Sequence, residues 1–314
     1  MELNSKIYVA GHQGLVGSTM LEYLQKKGYS NLLTRDRSVL DLTNQTETLR
    51  FFKSETPDVV ILAAAKVGGI AANMKYPANF LYENLMIEAN VINSAFEIRT
   101  KTLLFLGSSC IYPRLCDQPM KEDYILTGPF EPTNEGYAVA KVAGLKLCSY
   151  FNRQHGTDFI TIIPPNLYGP GDNFDFETSH VIAALIRRFH EAKIQRSSQV
   201  IVWGSGEAKR EFMFVEDLAD SIHHLSSIEC EYDVINVGVG YDVSIRELAE
   251  TVSEVVGYGG EIVFDSSKPD GMPRKLVDNS RIRSLGWEPK TSLEKGLRIT
   301  YDWFLKNKEA DHGR

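Results

Sequence analysis

Ile7-Tyr8-Val9-Ala10-Gly11-His12-Gln13-Gly14-Leu15-Val16-Gly17 is the stretch on which the fold turns. Three strand-favouring residues and an alanine run into glycines spaced GxxGxxG, and a helical pattern over 15–27 follows at once. The glycines let the backbone turn tightly and approach a pyrophosphate, and the helix start aims free N–H groups at it. Many glycine-rich turns after a strand share this spacing by chance. Here the strand before and the helix after supply βαβ context, which makes a dinucleotide the expected occupant.

Outward from that turn, short apolar runs alternate with helical patterns. The predicted strands cover 6–10, 31–34, 59–63, 102–106 and 159–163, and the helices 15–27, 45–54, 78–97 and 137–153. These strands are apolar throughout rather than alternating, so both faces of the sheet are buried and the sheet is parallel with helices on each side. After Pro164 the spacing becomes irregular, with helices at 179–192, 216–226, 244–256 and 292–307, and strands at 199–202 and 262–264. The segments 204–210 and 268–275 read as basic loops, and the polar tail after Lys306 reads as frayed. The expected fold is α/β. A Rossmann-type doubly wound parallel sheet spans 1–165, with some later segments crossing back, and a smaller α/β substrate-binding domain spans 166–314.

A chain of 314 residues buries a large core, and its 43% hydrophobic and 24% charged content is ordinary for a globular protein. The net charge of −7 argues against nucleic acid as a partner, although local basic clusters still suit a small polyphosphate. The polar start, 1–6, has no secretory apolar core, and the apolar run 59–65 is too short to cross a bilayer. Cys110, Cys116, Cys148 and Cys230 form no CxxC pair and show no metal-ligand spacing. The expectation is a cytoplasmic enzyme with reduced thiols, no metal and no membrane segment.

After the second predicted strand an acidic residue would hold an adenosine ribose. The chain instead reads Thr34-Arg35-Asp36-Arg37-Ser38, then Asp41-Leu42. A guanidinium suits a 2′-phosphate, so NADP is expected over NAD. Two solvated surface arginines are the alternative.

Tyr137 and Lys141 stand four apart on a predicted helix and so share a face. A nearby ammonium and a nicotinamide charge would lower the tyrosine's pKa and poise it for proton transfer. Gly107-Ser108-Ser109-Cys110-Ile111-Tyr112-Pro113 follows the fourth strand, at the edge where open α/β sheets bind ligands. Ser108 can hydrogen-bond a substrate carbonyl oxygen. Cys110 is either a carbon base, if its thiolate is favoured, or a small buried hydrophobe. His180 opens a helix after Thr178-Ser179, which are natural N-cap residues. Alone it reads as a surface residue; beside Cys110 it reads as a proton donor.

Taken together, the chain resembles the extended short-chain dehydrogenase/reductase family. The likeness rests on AGHQGLVGS, AAAKVGGIAAN, NLMIEANVI, LFLGSSCIYP, EPTNEGYAVAK, NLYGP and DNF, then on SHVIAALIRRFHEA, IVWGSG, REFMFVEDLA and KPDGMPRK, between about Lys6 and Phe304. It implies a homodimeric NADP-dependent epimerase–reductase acting on a GDP-sugar, with Ser108, Tyr137 and Lys141 as reductase triad and Cys110 and His180 as base and acid for epimerisation. The expected substrate is GDP-4-keto-6-deoxy-D-mannose; another GDP-4-keto sugar such as a GDP-heptose, or reduction alone, is the alternative. The resemblance further implies cofactor contacts at Gly11, His12, Gln13, Gly14, Leu15, Val16 and Gly17, at Arg37, Asp41 and Leu42, and at Leu106, Gly107, Ser108 and Ser109. Lys141, Pro164, Asn166, Leu167 and His180 complete that set. Arg188, Trp203, Arg210 and Asp270 would hold the GDP-sugar, arginines suiting the diphosphate and tryptophan a ring. The family usually carries a basic residue where this chain has Gln13, which removes one possible phosphate contact.

Overall fold

The computed structural model describes residues 1–175, 179–268 and 270–311. Six parallel strands form its central sheet in the order Leu32–Leu33, Ile7–Ala10, Val59–Leu62, Thr102–Leu106, Phe159–Ile163, Val234–Asn236. The chain steps outward from Ile7–Ala10, then reverses to Val59–Leu62. That reversal is the switch point, where the carboxyl ends of diverging strands leave a crevice for a ligand.

The sheet is apolar on both faces, and each face holds a layer of helices. Phe51, Phe52, Val91, Ile92, Val142 and Leu145 pack helices Gln45–Glu55, Pro77–Glu97 and Glu135–His155 on one side. Met20, Leu24, Leu218 and Ile222 pack helices Leu15–Lys26 and Val215–Leu225 on the other. The last strand and the last helix of this lobe both come from beyond residue 165. A separate apolar cluster, including Ile186, Phe189, Val200, Leu248, Val252 and Leu297, builds a second lobe. Helices Val181–Gln195, Ile245–Val256 and Leu293–Asp311 surround the parallel pair Gln199–Trp203 and Glu261–Asp265 there.

Three expectations change. The helix expected over 179–192 starts at Val181, with His180 itself in the N-cap position, and Thr178 lies outside the described residues. The helix expected to fray after Lys306 continues to Asp311, through a stretch without glycine or proline. The two basic loops also contain strands: Arg274–Lys275 pairs in parallel with Lys209–Arg210, with Lys275 opposite Arg210. Pro269, within the second of these segments, lies outside the described residues. Among the described residues no helix is long and apolar enough to cross a membrane.

Candidate active site

The glycine turn sits at the switch point and is built for a close approach. Gly11 has φ +84°, and a Cβ there would lie 2.6 Å from the Ala64 nitrogen at the end of the adjacent strand. A Cβ on Gly17 would lie 2.1 Å from the Gly11 oxygen, so the helix can enter this turn only as glycine. Gly14 is the N-cap of helix Leu15–Lys26, and no side chain caps it. The first-turn N–H groups, including those of Leu15, Val16 and Gly17, therefore suit an anion.

Around this turn the polar residues divide into framework and open groups. His12 Nε2 and Gln13 Nε2 both reach Asp36 Oδ1, at 3.0 and 2.9 Å, and hold the acid to the glycine turn. Arg35 is committed elsewhere, with Nη2 donating to Glu55 Oε1 at 2.6 Å and its guanidinium 5.3 Å from the Phe51 ring. Arg37 remains 73% exposed in its side chain, with a 3.3 Å contact to Glu83. One of the two arginines is thus structural and the other is open to an anion. Asp41 accepts from Thr43 N and Oγ1 at 3.0 and 2.8 Å, bonds that hold its carboxyl below the usual range. The Leu42 oxygen accepts from Asn90 Nδ2 at 2.9 Å, so this segment is braced from behind.

At the end of the fourth strand, Gly107 N donates to Ile162 O at 2.8 Å and Ser109 N to Pro164 O at 3.2 Å. These bonds fix the turn that carries Ser108 and Cys110. Ser108 is half-buried and its Oγ accepts from Cys110 N at 3.4 Å, starting a single 3-10 turn, Ser109–Ile111. Lys141, on helix Glu135–His155, reaches beneath the turn and donates to Leu106 O at 2.8 Å. Its Nζ lies 5.7 Å from the centre of the Tyr137 ring. The tetrad is therefore gathered at one place.

Burial dominates its electrostatics in the chain alone. Burial pushes Tyr137 well above its ordinary value, and the neighbouring Cys110 and Glu88 push the same way. Burial likewise pushes the Cys110 thiol up, against the pull of Lys275, Ser108 and Lys141. Desolvation disfavours both anions, and at Cys110 it outweighs the nearby cations.

His180 is exposed, and among the described residues no hydrogen bond or ion pair joins it to Cys110 or Tyr137. The loop before it passes close to the glycine-turn helix, since a Cβ on Gly171 would meet Ser18 Oγ at 3.5 Å. Asp172 in that loop is buried, with Oδ2 unpartnered among the described residues; burial pushes its carboxyl up, against the pull of Asn173 N and of His180. Asn166 opens strand Asn166–Tyr168, its Nδ2 donating to Glu211 O at 3.2 Å, while Leu167 packs against the sheet cluster.

The four residues expected to hold a GDP-sugar lie on the second lobe. Trp203 is 61% exposed, with the Arg188 guanidinium 5.7 Å and the Lys268 ammonium 5.4 Å from its ring. Arg210 Nη2 donates to Asp270 O at 3.3 Å, and the Asp270 carboxylate accepts from Ser205 N and Oγ at 2.7 and 2.9 Å. Lys275 links this cluster to the catalytic turn, because it pairs with Arg210 and its charge acts on Cys110. Sequence reading missed Lys275 as a site residue. The second omission, Glu88, had a signal: a glutamate on the apolar stripe of helix Pro77–Glu97 shared by Phe80, Asn84, Val91 and Ile92.

A glycine turn at the switch point of a parallel sheet, with Ser108, Tyr137 and Lys141 gathered beside it, defines a dinucleotide-dependent protein of the extended dehydrogenase/reductase class. The chain belongs to the NAD dependent epimerase/dehydratase family, whose profile matches residues 7–238. It is 55% identical to GDP-L-fucose synthase 1 of Arabidopsis thaliana, over 97% of this chain and 94% of that one. It is 51% identical to GDP-L-fucose synthase of Escherichia coli strain K12, over 98% and 99%. A solved GDP-mannoheptose C4 reductase from Campylobacter jejuni with NADP bound superposes with a TM-score of 0.89 at 40% identity, covering 97% of this chain and 99% of that one.

Proposed function

We infer that the protein is an NADPH-dependent 3,5-epimerase and 4-reductase that converts GDP-4-keto-6-deoxy-D-mannose to GDP-L-fucose. The observation that carries this reading is the gathering of Cys110 and Ser108 with Tyr137 and Lys141, on a chain 51% identical end to end to a GDP-L-fucose synthase. A pair built only to reduce needs no thiol beside the tyrosine.

The chain's own groups fit an NADP-type cofactor, since the glycine turn is bare, its helix start is uncapped and Arg37 is exposed. Gly11 to Gly17 would hold the pyrophosphate, Arg37 the 2′-phosphate, and Lys141 with the 106–109 and 164–167 segments the nicotinamide end. NADPH, when bound, supplies the hydride for carbon 4. The remaining chemistry is proton movement. The carbon-4 ketone acidifies the protons on carbons 3 and 5. Cys110 removes one, Ser108 and Tyr137 donate hydrogen bonds to the enolate oxygen, and His180 returns a proton to the opposite face. Once solvent has taken the proton from Cys110 and resupplied His180, the same sequence acts at the other carbon. Tyr137 finally protonates the carbon-4 oxygen. Arg188 and Arg210 suit the diphosphate and Trp203 offers a ring face, so the sheet lobe takes the cofactor and the second lobe takes the GDP-sugar.

A cytoplasmic homodimer is the form we assign. Four free cysteines fit a reducing compartment. Exposed Tyr82 on helix Pro77–Glu97 and exposed Val139 and Tyr150 on helix Glu135–His155 give these two helices an apolar outer surface to pair. Analytical ultracentrifugation tests the second assignment.

The test of function is NADPH oxidation with GDP-4-keto-6-deoxy-D-mannose in deuterated water, with the product identified by NMR. GDP-L-fucose labelled at carbons 3 and 5 is expected. An unlabelled reduced product would leave a simple reductase. No turnover, with NADPH still bound, would direct attention to a GDP-heptose instead.

A further inference from the structure

Lys141 is 2% exposed, and the group opposite its ammonium is a carboxylate that the proposed chemistry does not use. Glu88 Oε1 lies 3.1 Å from Lys141 Nζ, and Glu88 is itself 1% exposed. Apart from this contact, neither Glu88 oxygen has a hydrogen-bond partner among the described residues. The carboxylate enters from the middle of helix Pro77–Glu97, on a buried face it shares with Phe80, Asn84, Val91, Ile92 and Ala95. Space for it comes from Gly144 on the facing helix, where a Cβ would lie 2.6 Å from Glu88 Oε2 and 2.7 Å from the Phe105 ring. Burial pushes the Glu88 carboxyl up, and the Lys141 ammonium is the group that pulls it back in part.

We propose that Glu88 is a positioning residue for proton transfer by Tyr137: it clamps the Lys141 ammonium between itself and the Leu106 carbonyl and offsets that charge beneath the tyrosine. The inference rests on the reading of Tyr137 and Lys141 as the reductase pair. The ammonium donates to Leu106 O at 2.8 Å and lies 3.1 Å from the Glu88 carboxylate, so both groups fix its place near the Tyr137 ring. The Glu88 charge also opposes ionisation of Tyr137, which keeps the hydroxyl protonated as the donor that reduction of a ketone requires. The other titratable groups around the pair are Cys148 on the Lys141 helix and Cys110 in the turn after Thr102–Leu106, while that strand presents Phe105, 4.7 Å from Lys141 Nζ.

Glu88→Gln keeps the shape and removes the charge. Melting curves and NADPH titration by fluorescence establish folding and cofactor binding, and the pH dependence of kcat then reports the role. Without the carboxylate, Tyr137 loses a neighbour that opposes its ionisation, so its hydroxyl gives up the proton more readily. The limb at which reduction is lost with rising pH is expected to move down by about one pH unit or more, roughly a tenfold loss on that limb. Deuterium exchange at carbons 3 and 5, run without NADPH, should show the same downward movement of its alkaline limb. A folded variant whose two profiles coincide with the parent's overturns the proposal. If Glu88→Gln does not fold, Gly144→Ala displaces the carboxylate instead of removing it, with the same expected movement and the same ground for rejection. Lys141→Met separates the two levels: full reduction in that variant removes the reading beneath, whereas its loss alongside an unmoved Glu88→Gln profile removes the Glu88 role alone.

Discussion

The hydroxyl of Tyr112 donates to Asn236 Oδ1 at 2.6 Å, joining the catalytic turn to the sixth strand across 124 residues of chain. Asn236 Nδ2 donates to Met120 O at 2.9 Å, and Asn236 N donates to Glu122 Oε1 at 2.9 Å. All three bonds are buried, so the strand that returns from the second half bolts down the loop behind Ser108 and Cys110. Asn236→Ala leaves the Tyr112 hydroxyl unpaired, while the Met120 carbonyl keeps its 2.8 Å bond from Asp278 N, and should destabilise by about 1–3 kcal/mol. Tyr112→Phe, which strands only the Asn236 oxygen, should cost about 1–2 kcal/mol. Urea unfolding measures both, and equal midpoints for Tyr112→Phe and the parent would show that the bond contributes nothing.

That strand also marks where sequence reading stops. The turn 11–17 and the strands 102–106 and 159–163 are legible because continuous apolar runs between turn signals have few other interpretations. Val234–Asn236 is three residues long between an acidic stretch and a glycine-rich one, and two-residue strands such as Arg274–Lys275 have no periodicity at all. Their pairing is dictated by partners distant in the chain. Tyr137, Lys141, Ser108 and Cys110 are nameable from spacing and are gathered in the fold, but their protonation balance is not legible, because it depends on burial. Glu88 is visible as a charge on an apolar face, yet only its partner, Lys141, explains it.

Glu211 staples two distant segments to its own, its carboxylate accepting from Val239 N, Gly240 N and Val277 N at 2.6, 3.0 and 3.0 Å. Burial nevertheless pushes this carboxyl up to about 7 from 4.5. Between those values the folded chain holds a proton that the unfolded chain has released, so stability falls as pH rises through this window. The loss from this one group is on the order of 3 kcal/mol between pH 4.5 and 7. Melting temperatures from about pH 5 to 8 should therefore decline more steeply in the parent than in Glu211→Gln, which cannot titrate. Parallel curves would show that Glu211 ionises with its ordinary value.

The division of labour between two arginines is open to a direct comparison. Arg37→Ala removes the exposed guanidinium and should raise KM for NADPH by roughly 10- to 100-fold while changing KM for NADH little, as expected for a lost charge-assisted phosphate bond. Arg35→Ala breaks the Glu55 pair and the Phe51 stack, so it should lower the melting temperature and leave the cofactor preference intact. Equal effects on the two cofactors in Arg37→Ala would remove the 2′-phosphate from that site.

Lys275 and Cys110 make the sharpest case, because burial and charge oppose each other there. Desolvation raises the thiol, and Lys275 is the first of the groups that pull it back. Removing the ammonium with Lys275→Met leaves desolvation less opposed, so the thiolate forms only at higher pH. The acid limb of deuterium exchange at carbons 3 and 5 should move upward, and exchange near neutral pH should drop by about tenfold for every pH unit the limb travels. KM for NADPH should stay constant, since no cofactor contact is assigned to Lys275. Cys110→Ser should abolish exchange at every pH, because a serine hydroxyl is far too weak an acid to supply the anion. Exchange that survives Cys110→Ser would remove the thiol from the chemistry; an unmoved limb in Lys275→Met would leave Cys110 in place and assign its activation to Ser108 and Lys141.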